Sequence, residues 1–224
     1  MPPQPPTTAP IAIALIGNDV IGDGVTEVTV GDRVFGFCTE GAAQAELAVL
    51  SVYAPIPAAL DFAVAASLPA AIETAARGLD QLGVPNGSTV LIHGASGNVG
   101  GAAVQLAVAR GARVIGTAIP ANHAYVRSLG AEPVAYGAGM LDRVRALAPA
   151  GVDRALDVAG SGVLPALIEL AGGPKHVVTV ADFCGAQEYG VTFSRGDAGR
   201  ALYVLAQIGE LVASGRFTLP QVQT

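Results

Sequence analysis

The segment TVLIHGASGNVGG (residues 89–101) predicts an apolar strand, a glycine-rich turn and the beginning of a helix. Its glycines Gly94, Gly97 and Gly100 are spaced three residues apart. Glycine lets the backbone approach a pyrophosphate closely, and a helix N-terminus offers free N–H groups and a favourable dipole. A tight structural turn is the alternative interpretation of such a triplet. The strand before it and the helix of small residues after it favour a dinucleotide-binding turn.

From residue 88 onward, the chain alternates between segments typical of strands and segments typical of helices. The predicted strands cover residues 89–93, 113–117, 133–135, 154–158 and 176–180. The predicted helices cover residues 97–110, 122–129, 140–147, 162–171 and 197–214. This alternation with short turns predicts an α/β fold, a Rossmann-type doubly wound parallel sheet with helices on both faces.

The region before residue 88 has a different pattern. Residues 11–16 are apolar, residues 25–30 alternate, and residues 34–38 are typical of a β-strand. Together these segments predict part of an antiparallel β-domain. Two helices are predicted next, a short one over residues 62–68 and a second one over residues 72–82.

The composition argues against several classes of protein. The chain has 224 residues, of which 51% are hydrophobic and 13% are charged, enough for one domain with part of another. A net charge of −6 and a pI of about 4.9 argue against a nucleic-acid partner. Without an apolar run of membrane-spanning length or a signal peptide, a cytoplasmic protein that does not bind membranes is expected. The distant cysteines Cys38 and Cys184 are interpreted as reduced thiols.

Several short motifs occur in a characteristic order along the chain. They are GDRVFG at residues 31–36, AASLP at 65–69 followed by Thr74-Ala75, the glycine turn at 94–100 and RSLGA at 127–131. In this combination the chain resembles the medium-chain dehydrogenase/reductase superfamily. The resemblance is to its zinc-free quinone oxidoreductase-like (zeta-crystallin-like) branch in particular.

The resemblance implies a division into three parts. Residues 1–54 correspond to a partial GroES-like catalytic domain with a proline-rich tail, residues 55–87 to interdomain helices, and residues 88–224 to an NADP-binding Rossmann domain. The family has more β-structure before residue 31 and further strands after residue 224, so a sequence truncated at both ends is expected. Family members commonly pair through an edge strand, which implies a homodimer with its interface around residues 187–193.

The segment GNDVIG at residues 17–22 indicates whether a catalytic metal site is expected. Zinc alcohol dehydrogenases have Gly-His-Glu at the corresponding place, whereas this chain has Asn18 and Asp19. The four-cysteine lobe of those enzymes, which binds structural zinc, has no counterpart in this sequence. A zinc site needs several nitrogen or sulfur ligands at tetrahedral spacing, and none is expected here. The histidines are interpreted as structural: His93, His123 and His176.

The residues after the second strand of the Rossmann domain indicate which cofactor is preferred. An NAD-binding Rossmann domain has an Asp or Glu there for the ribose hydroxyls, but this chain continues Thr117-Ala118-Ile119-Pro120. The missing carboxylate favours NADP(H). The family often has a basic residue just beyond, where this chain has Ala121. Tyr136 resembles a family tyrosine that contacts the 2′-phosphate; a half-buried packing aromatic is the alternative.

The remaining site predictions follow the carboxyl ends of the strands and the family pattern. The predicted cofactor-binding residues are Thr74, Gly94, Ser96, Gly97, Asn98, Val99, Gly100, Thr117, Tyr136, Ala159, Val180 and Ala181. Thr74 resembles a family threonine near the nicotinamide end of the cofactor. The alternative is an ordinary helix residue whose hydroxyl bonds to its own chain. Asp157 and Asp182 are interpreted as solvated or capping carboxylates rather than catalytic acids. Tyr53 is either a proton donor or a packing side chain.

The resemblance implies a hydride transfer from NADPH to a quinone or an α,β-unsaturated carbonyl compound. The protein would position the reactants and stabilise the developing enolate, with a proton from solvent. No catalytic residue is assigned. Two other functions remain open. One is a nucleotide-binding remnant or pseudoenzyme that binds NADP(H) without turnover, and the other is a reductase or cyclase in natural-product biosynthesis.

Overall fold

The structure is a computed structural model, which describes the backbone of residues 12–15 and residues 21, 25–38, 48–196 and 199–218. The strands are β1 (Ala12–Leu15), β2 (Val34–Phe37), β3 (Val52–Pro55), β4 (Thr89–His93), β5 (Arg113–Thr117), β6 (Glu132–Val134), β7 (Arg154–Asp157), β8 (Val177–Thr179) and β9 (Thr192–Phe193). The α-helices are α1 (Phe62–Leu82), α2 (Asn98–Ala109), α3 (His123–Ser128), α4 (Met140–Leu147), α5 (Leu164–Ala171), α6 (Phe183–Tyr189) and α7 (Val204–Ala213).

A parallel six-stranded sheet forms the centre of the molecule, in the order β6-β5-β4-β7-β8-β9. The chain winds outward from β4 to β6, then crosses back and winds outward from β7 to β9 on the other side. The predicted doubly wound Rossmann-type sheet is therefore confirmed. The order reverses between β4 and β7, and ligands of such sheets bind outside the carboxyl ends of the strands at this point.

Alternate residues of the parallel strands belong to two separate hydrophobic cores. Val90, Ile92 and Leu156 face α1, α2 and α7 on one side of the sheet. Leu91 and Ala155 face α4, α5 and α6 on the other side. Both faces are covered, which explains why these strands are apolar throughout rather than alternating with polar residues.

The described residues of the N-terminal region form a second, antiparallel sheet in the order β1-β2-β3. Phe35 and Phe37 of β2 are fully buried in the core shared with α1 and α7. Pro55 ends β3, which pairs only with β2 within the described residues, and an edge strand tolerates a proline. The position of this sheet agrees with a partial β-domain, while the boundaries at residues 54 and 87 stay predictions.

The two helices predicted over residues 62–68 and 72–82 are wrong as separate elements, because α1 is continuous across them. Asp61 caps the helix by accepting a hydrogen bond from the Val64 amide at 2.7 Å, and Gly83 ends it with φ of 57°. Pro69 lies inside the helix and lacks an N–H for the preceding turn. Burial of α1 along most of its length offsets that loss.

Two further predictions are corrected by the structure. Residues 25–30 form no strand; the Asp32 carboxylate accepts hydrogen bonds from the Thr29 amide and hydroxyl, at 2.7 and 3.1 Å, which makes a turn instead. The helix predicted from residue 197 begins only at Val204 in α7. Gly199, with φ of 113°, departs from helical geometry just before it.

Three elements have no counterpart among the predictions, namely β3, α6 and β9. Each is short, and the two strands have only four and two residues. Within the described residues, no helix is both long and apolar enough to cross a membrane.

Candidate cofactor-binding site

The glycine turn, residues 94–100, connects β4 to α2 at the carboxyl edge of the sheet. Gly94 has φ of 87°, and its amide donates to the Thr117 hydroxyl at 3.0 Å. The Ala95 amide donates to the Thr117 carbonyl at 2.9 Å, so the turn is fastened to the end of β5. The Gly97 amide donates back to the Gly94 carbonyl at 3.1 Å, which closes the turn.

The three glycines of the turn have different surroundings. A Cβ atom on Gly100 would lie 2.0 Å from the Gly94 carbonyl oxygen, so α2 packs against the turn too closely for any side chain. A Cβ atom on Gly94 would lie 2.8 Å from the Cβ atom of Ala159. Gly97 is exposed, and its Cβ atom would have no neighbour closer than 3.6 Å. The space above Gly97 is therefore open to a ligand.

The N-terminus of α2 presents free hydrogen-bond donors to this space. Gly97 caps the helix without a side-chain acceptor. The first backbone hydrogen bond comes from the Gly101 amide, at 2.7 Å to the Gly97 carbonyl. In the described part of the chain, the amides of Asn98, Val99 and Gly100 therefore have no partner. Unpaired amides and the positive end of a helix dipole suit a phosphate, so the donors fit a dinucleotide pyrophosphate.

Ser96 and Asn122 lie beside these donors. Asn122 lies on the segment after β5, and its side-chain Nδ2 donates to the Ser96 hydroxyl at 3.2 Å. Ser96 is half-buried, and this bond connects the glycine turn to the segment beyond β5.

A buried polar row underlies the crevice, formed by the last residues of four neighbouring strands. Its members are Thr117 of β5, His93 of β4, Asp157 of β7 and Thr179 of β8. His93 is 6% exposed and the other three have no exposed surface. The Thr117 hydroxyl lies 2.8 Å from His93 Nδ1, and the Thr179 hydroxyl donates to Asp157 Oδ2 at 2.7 Å.

The buried polar row binds the amides of the loops that surround the crevice. Asp157 Oδ1 accepts from the amides of Ala159 and Gly160, at 3.0 and 2.8 Å. The Thr179 hydroxyl accepts from the amides of Ala181 and Asp182, at 3.1 and 3.0 Å. The loops after β7 and β8 are therefore fixed in place by side chains from the strands beneath them.

Thr117 supports the glycine turn from the end of β5. Its fully buried side chain lies beneath the turn, where it bonds the Gly94 amide and His93. Its role as a cofactor-binding residue stays a prediction. Asp157 and Asp182 are capping carboxylates: Asp182 accepts from the Gly185 amide at 2.8 Å at the start of α6.

His93 lies between a polar and an apolar environment. Burial lowers the pKa of its imidazole below the ordinary value, an effect larger than the opposing one of the Asp157 carboxylate. The ring of Tyr136, which is 51% exposed, approaches the His93 ring edge-on, with centroids 6.1 Å apart. Tyr136 therefore stands at the open surface after β6, close to the polar row.

The other predicted site residues lie around the same edge of the sheet. Ala159 and Ala181 are exposed, on the loops after β7 and β8, and Val180, which precedes Ala181 on the loop after β8, is half-buried. Thr74 of α1 is half-buried, and the Arg77 guanidinium lies 3.4 Å from its hydroxyl. The contacts of all four residues with a cofactor stay predictions.

Arg77 belongs to a buried network that the sequence did not indicate. Its Nε donates to Glu73 at 2.9 Å, and Nη1 donates to the Ser194 hydroxyl just after β9. Glu73, which is 1% exposed, also accepts from the Ala201 amide at 3.2 Å. The network fastens α1 to the far edge of the sheet and to the segment before α7.

The described histidines are all engaged by their own chain. His123 Nε2 lies 3.3 Å from the Ala118 carbonyl and His176 Nδ1 lies 2.8 Å from the Ala171 carbonyl. Within the described residues, no group of three or more His, Cys, Asp or Glu side chains is suited to a metal. Asn18 and Asp19 lie outside the described residues, so the absence of zinc stays a prediction.

The sequence pattern missed the buried polar row as a unit. Its signal is a polar residue at the last position of each of four strands, but their adjacency depends on the strand order. The signal for Arg77 and Glu73 is their spacing of four on one helix, which is equally typical of an ordinary surface ion pair.

Comparisons with known proteins agree with this geometry. The family model described as zinc-binding dehydrogenase matches residues 98–191. The trans-enoyl reductase himH of Aspergillus japonicus is 33% identical over 234 residues, which cover 88% of this chain and 67% of himH. The quinone oxidoreductase of Rattus norvegicus is 44% identical over 111 residues, which cover 46% of this chain and 34% of that protein.

A solved structure agrees over most of the chain. An alcohol dehydrogenase superfamily protein from Novosphingobium aromaticivorans has a TM-score of 0.78 and 32% sequence identity. The match covers 94% of this chain and 70% of that protein, so the chain spans only part of the length of these relatives. The glycine turn, the strand order and these similarities together show that the chain belongs to the medium-chain dehydrogenase/reductase superfamily.

Proposed function

We propose that the protein is an NADP(H)-dependent oxidoreductase that transfers hydride to a quinone or an α,β-unsaturated carbonyl compound without zinc. The observation that carries the proposal is the open glycine turn with three unpartnered amides at the start of α2. The similarity to a quinone oxidoreductase and a trans-enoyl reductase supports the substrate class.

The preference for NADP(H) is supported by the charges around the end of β5. Residues 117–123 contain no carboxylate, and the next acidic residue along the chain is Glu132. Glu132 pairs with Arg113 at 2.7 Å, at the beginning of β5 and therefore at the opposite end of the sheet. A 2′-phosphate after β5 would meet no acidic side chain of this segment.

The residues of the chain have separate tasks in this proposal. The amides of Asn98, Val99 and Gly100 would bind the pyrophosphate, and the loops carrying Ala159 and Ala181 would bound the crevice beside it. The bound nicotinamide cofactor supplies the hydride. The buried polar row holds the loops in the geometry that binding requires, without touching the cofactor.

Solvent is the proposed source of the proton. The candidate donor Tyr53 is bonded to Glu27, with its hydroxyl 3.3 Å from the Glu27 carboxylate. This carboxylate competes for the hydroxyl proton, which argues against transfer from Tyr53 to a substrate.

A turnover assay with purified protein tests the proposal. NADPH oxidation is followed with a panel of quinones and enones, in parallel with NADH and after treatment with a chelator. We expect substrate-dependent NADPH oxidation that exceeds the NADH rate and survives the chelator. Absence of turnover with every substrate would contradict the reductase, and loss of activity on chelation would contradict the zinc-free mechanism.

Binding of NADP(H) without turnover is the second candidate function. It needs only the open glycine turn and the unpartnered amides at the start of α2, which bind a pyrophosphate whether or not a substrate is reduced. Calorimetric binding of NADPH without oxidation in the assay would support it, and absence of binding would contradict both candidates.

A biosynthetic reductase or cyclase is a further variant, favoured by the similarity to himH. Preferential reduction of enoyl thioesters over quinones would support that variant.

A further inference from the structure

The loop after β6, residues 135–139, is called the Tyr136 loop here. The Ala118 amide after β5 donates to the Val134 carbonyl at 3.0 Å, so the ends of β5 and β6 are joined directly beside this loop. In a Rossmann domain the adenosine ribose lies at the end of the second strand, which corresponds to β5. A phosphate on the 2′-oxygen of that ribose would therefore be a neighbour of the Tyr136 loop.

Arg143 of α4 holds the Tyr136 loop from below. Its Nε and Nη2 donate to the Ala135 carbonyl at 3.1 and 2.9 Å. Nη2 also donates to the Ala138 carbonyl at 2.8 Å and to the Tyr136 carbonyl at 3.4 Å. One guanidinium group thus binds three carbonyl groups of the loop, which fixes the backbone that carries the Tyr136 ring.

The charge of Arg143 is not neutralised by a carboxylate. Its partners in the described part of the chain are neutral carbonyl groups, and Nη1 makes no hydrogen bond there. Arg145, two residues further along the same helix, instead forms an ion pair with Glu169. The side chain of Arg143 is half-buried, so its positive charge is only partly screened by water.

We propose that Arg143 is the specificity-determining residue for the 2′-phosphate of NADP(H). It orders the Tyr136 loop and supplies a positive charge beside the carbonyl groups of that loop, whereas the segment after β5 has Ala121 in place of a basic residue. The inference rests on the proposed NADP(H) site and assigns the origin of its preference to one side chain.

Binding of NADPH and NADH to the wild-type protein and to the Arg143→Gln, Arg143→Lys and Arg145→Gln variants tests the inference. Calorimetry with 2′,5′-ADP and 5′-AMP isolates the 2′-phosphate from the nicotinamide. We expect Arg143→Gln to lose roughly tenfold in affinity for NADPH and 2′,5′-ADP, the scale of one hydrogen bond to a charged group. Affinity for NADH and 5′-AMP changes little.

The other two variants separate charge from structure. Arg143→Lys keeps the charge without the planar fork and is expected to retain part of the preference for NADPH. Arg145→Gln removes the same charge from the same helix and should leave the preference unchanged. If Arg143→Gln does not fold, the wild-type preference should still fall as salt is raised, because a charge that is partly exposed is screened.

Three results would overturn the inference in distinguishable ways. A wild-type protein without preference for NADPH would contradict the proposed cofactor itself. A preference that persists in Arg143→Gln, or that does not respond to salt, would contradict the role of Arg143 and leave the cofactor proposal intact. An equal loss for NADPH and NADH would reduce Arg143 to a structural residue of the loop.

Discussion

Gly97 and Gly100 belong to the same turn, yet they tolerate a side chain to different degrees. Gly100 lies against the Gly94 carbonyl, where a Cβ atom would overlap at 2.0 Å. Gly97 has open space above it and an ordinary extended backbone, with φ of −80°. Gly100 is therefore required by the fold, and Gly97 by whatever approaches the turn.

Alanine substitutions should separate these two requirements. Gly100→Ala is expected to lower the thermal stability and to abolish NADPH binding, because α2 has to move away from the turn. Gly97→Ala is expected to keep nearly the wild-type melting temperature and still weaken NADPH binding, since its methyl group occupies the space for the pyrophosphate. Melting curves and cofactor titrations check this, and unchanged binding by Gly97→Ala would contradict the placement of the pyrophosphate.

The buried His93 links stability to pH. Its pKa in the folded protein is lowered, so on acidification the unfolded chain takes up a proton before the folded one does. The free energy of unfolding should therefore fall as the pH drops below about 6.5, the ordinary histidine value. Urea unfolding across a pH series measures this, and the His93→Gln variant should lack that part of the dependence. Identical profiles for the two proteins would contradict the lowered pKa.

The position and shape of the glycine turn could be predicted from the sequence, whereas the contacts beneath it could not, for a physical reason. The glycine spacing located the turn because backbone approach excludes side chains there. Part of the roles of Thr117 and Thr179 depends on which strands are neighbours, since Thr117 accepts from the Gly94 amide after β4 and Thr179 donates to Asp157 of β7. A sequence pattern does not contain that adjacency.

At the scale of elements, α1 connects the antiparallel sheet to the Rossmann sheet, and Asp61 begins it. The Asp61 carboxylate is exposed and accepts from the Val64 amide. Asp61→Ala is expected to lower the free energy of unfolding by about 1 kcal/mol, the usual value of an N-cap. Asp61→Ser keeps an acceptor and should lose much less. Chemical denaturation measures both, and equal losses would show that the cap is not the cause.

The parallel strands and their helices were predicted closely, because glycines and prolines in the turns mark where many of their apolar runs end. Strands β4 and β5 and helix α4 agree with the predicted bounds. The break placed near Pro69 is wrong because packing on both sides of the proline outweighs its local preference. Strand β9 has two residues and is held by pairing with β8, which leaves hardly any local pattern to detect.

For the whole molecule, we propose a homodimer formed through the β9 edge of the sheet. Phe183 and Tyr189 of α6 are exposed beside this edge, and the Phe183 ring packs edge-on against Phe193. Tyr189→Glu is expected to shift the protein from dimer to monomer in light scattering. Val108→Glu, at another exposed apolar position on α2, should have no such effect. A monomeric wild-type protein at every concentration would contradict the proposal.

The buried polar row has a consequence for hydrogen exchange. Loop amides normally exchange quickly, but those of Gly94, Gly160 and Asp182 are bonded to side chains with no exposed surface. Their deuterium uptake should be as slow as that of the central strands, even though they surround an open crevice. The unpaired amides at the start of α2 should exchange rapidly in the free protein and become protected only when a dinucleotide is bound.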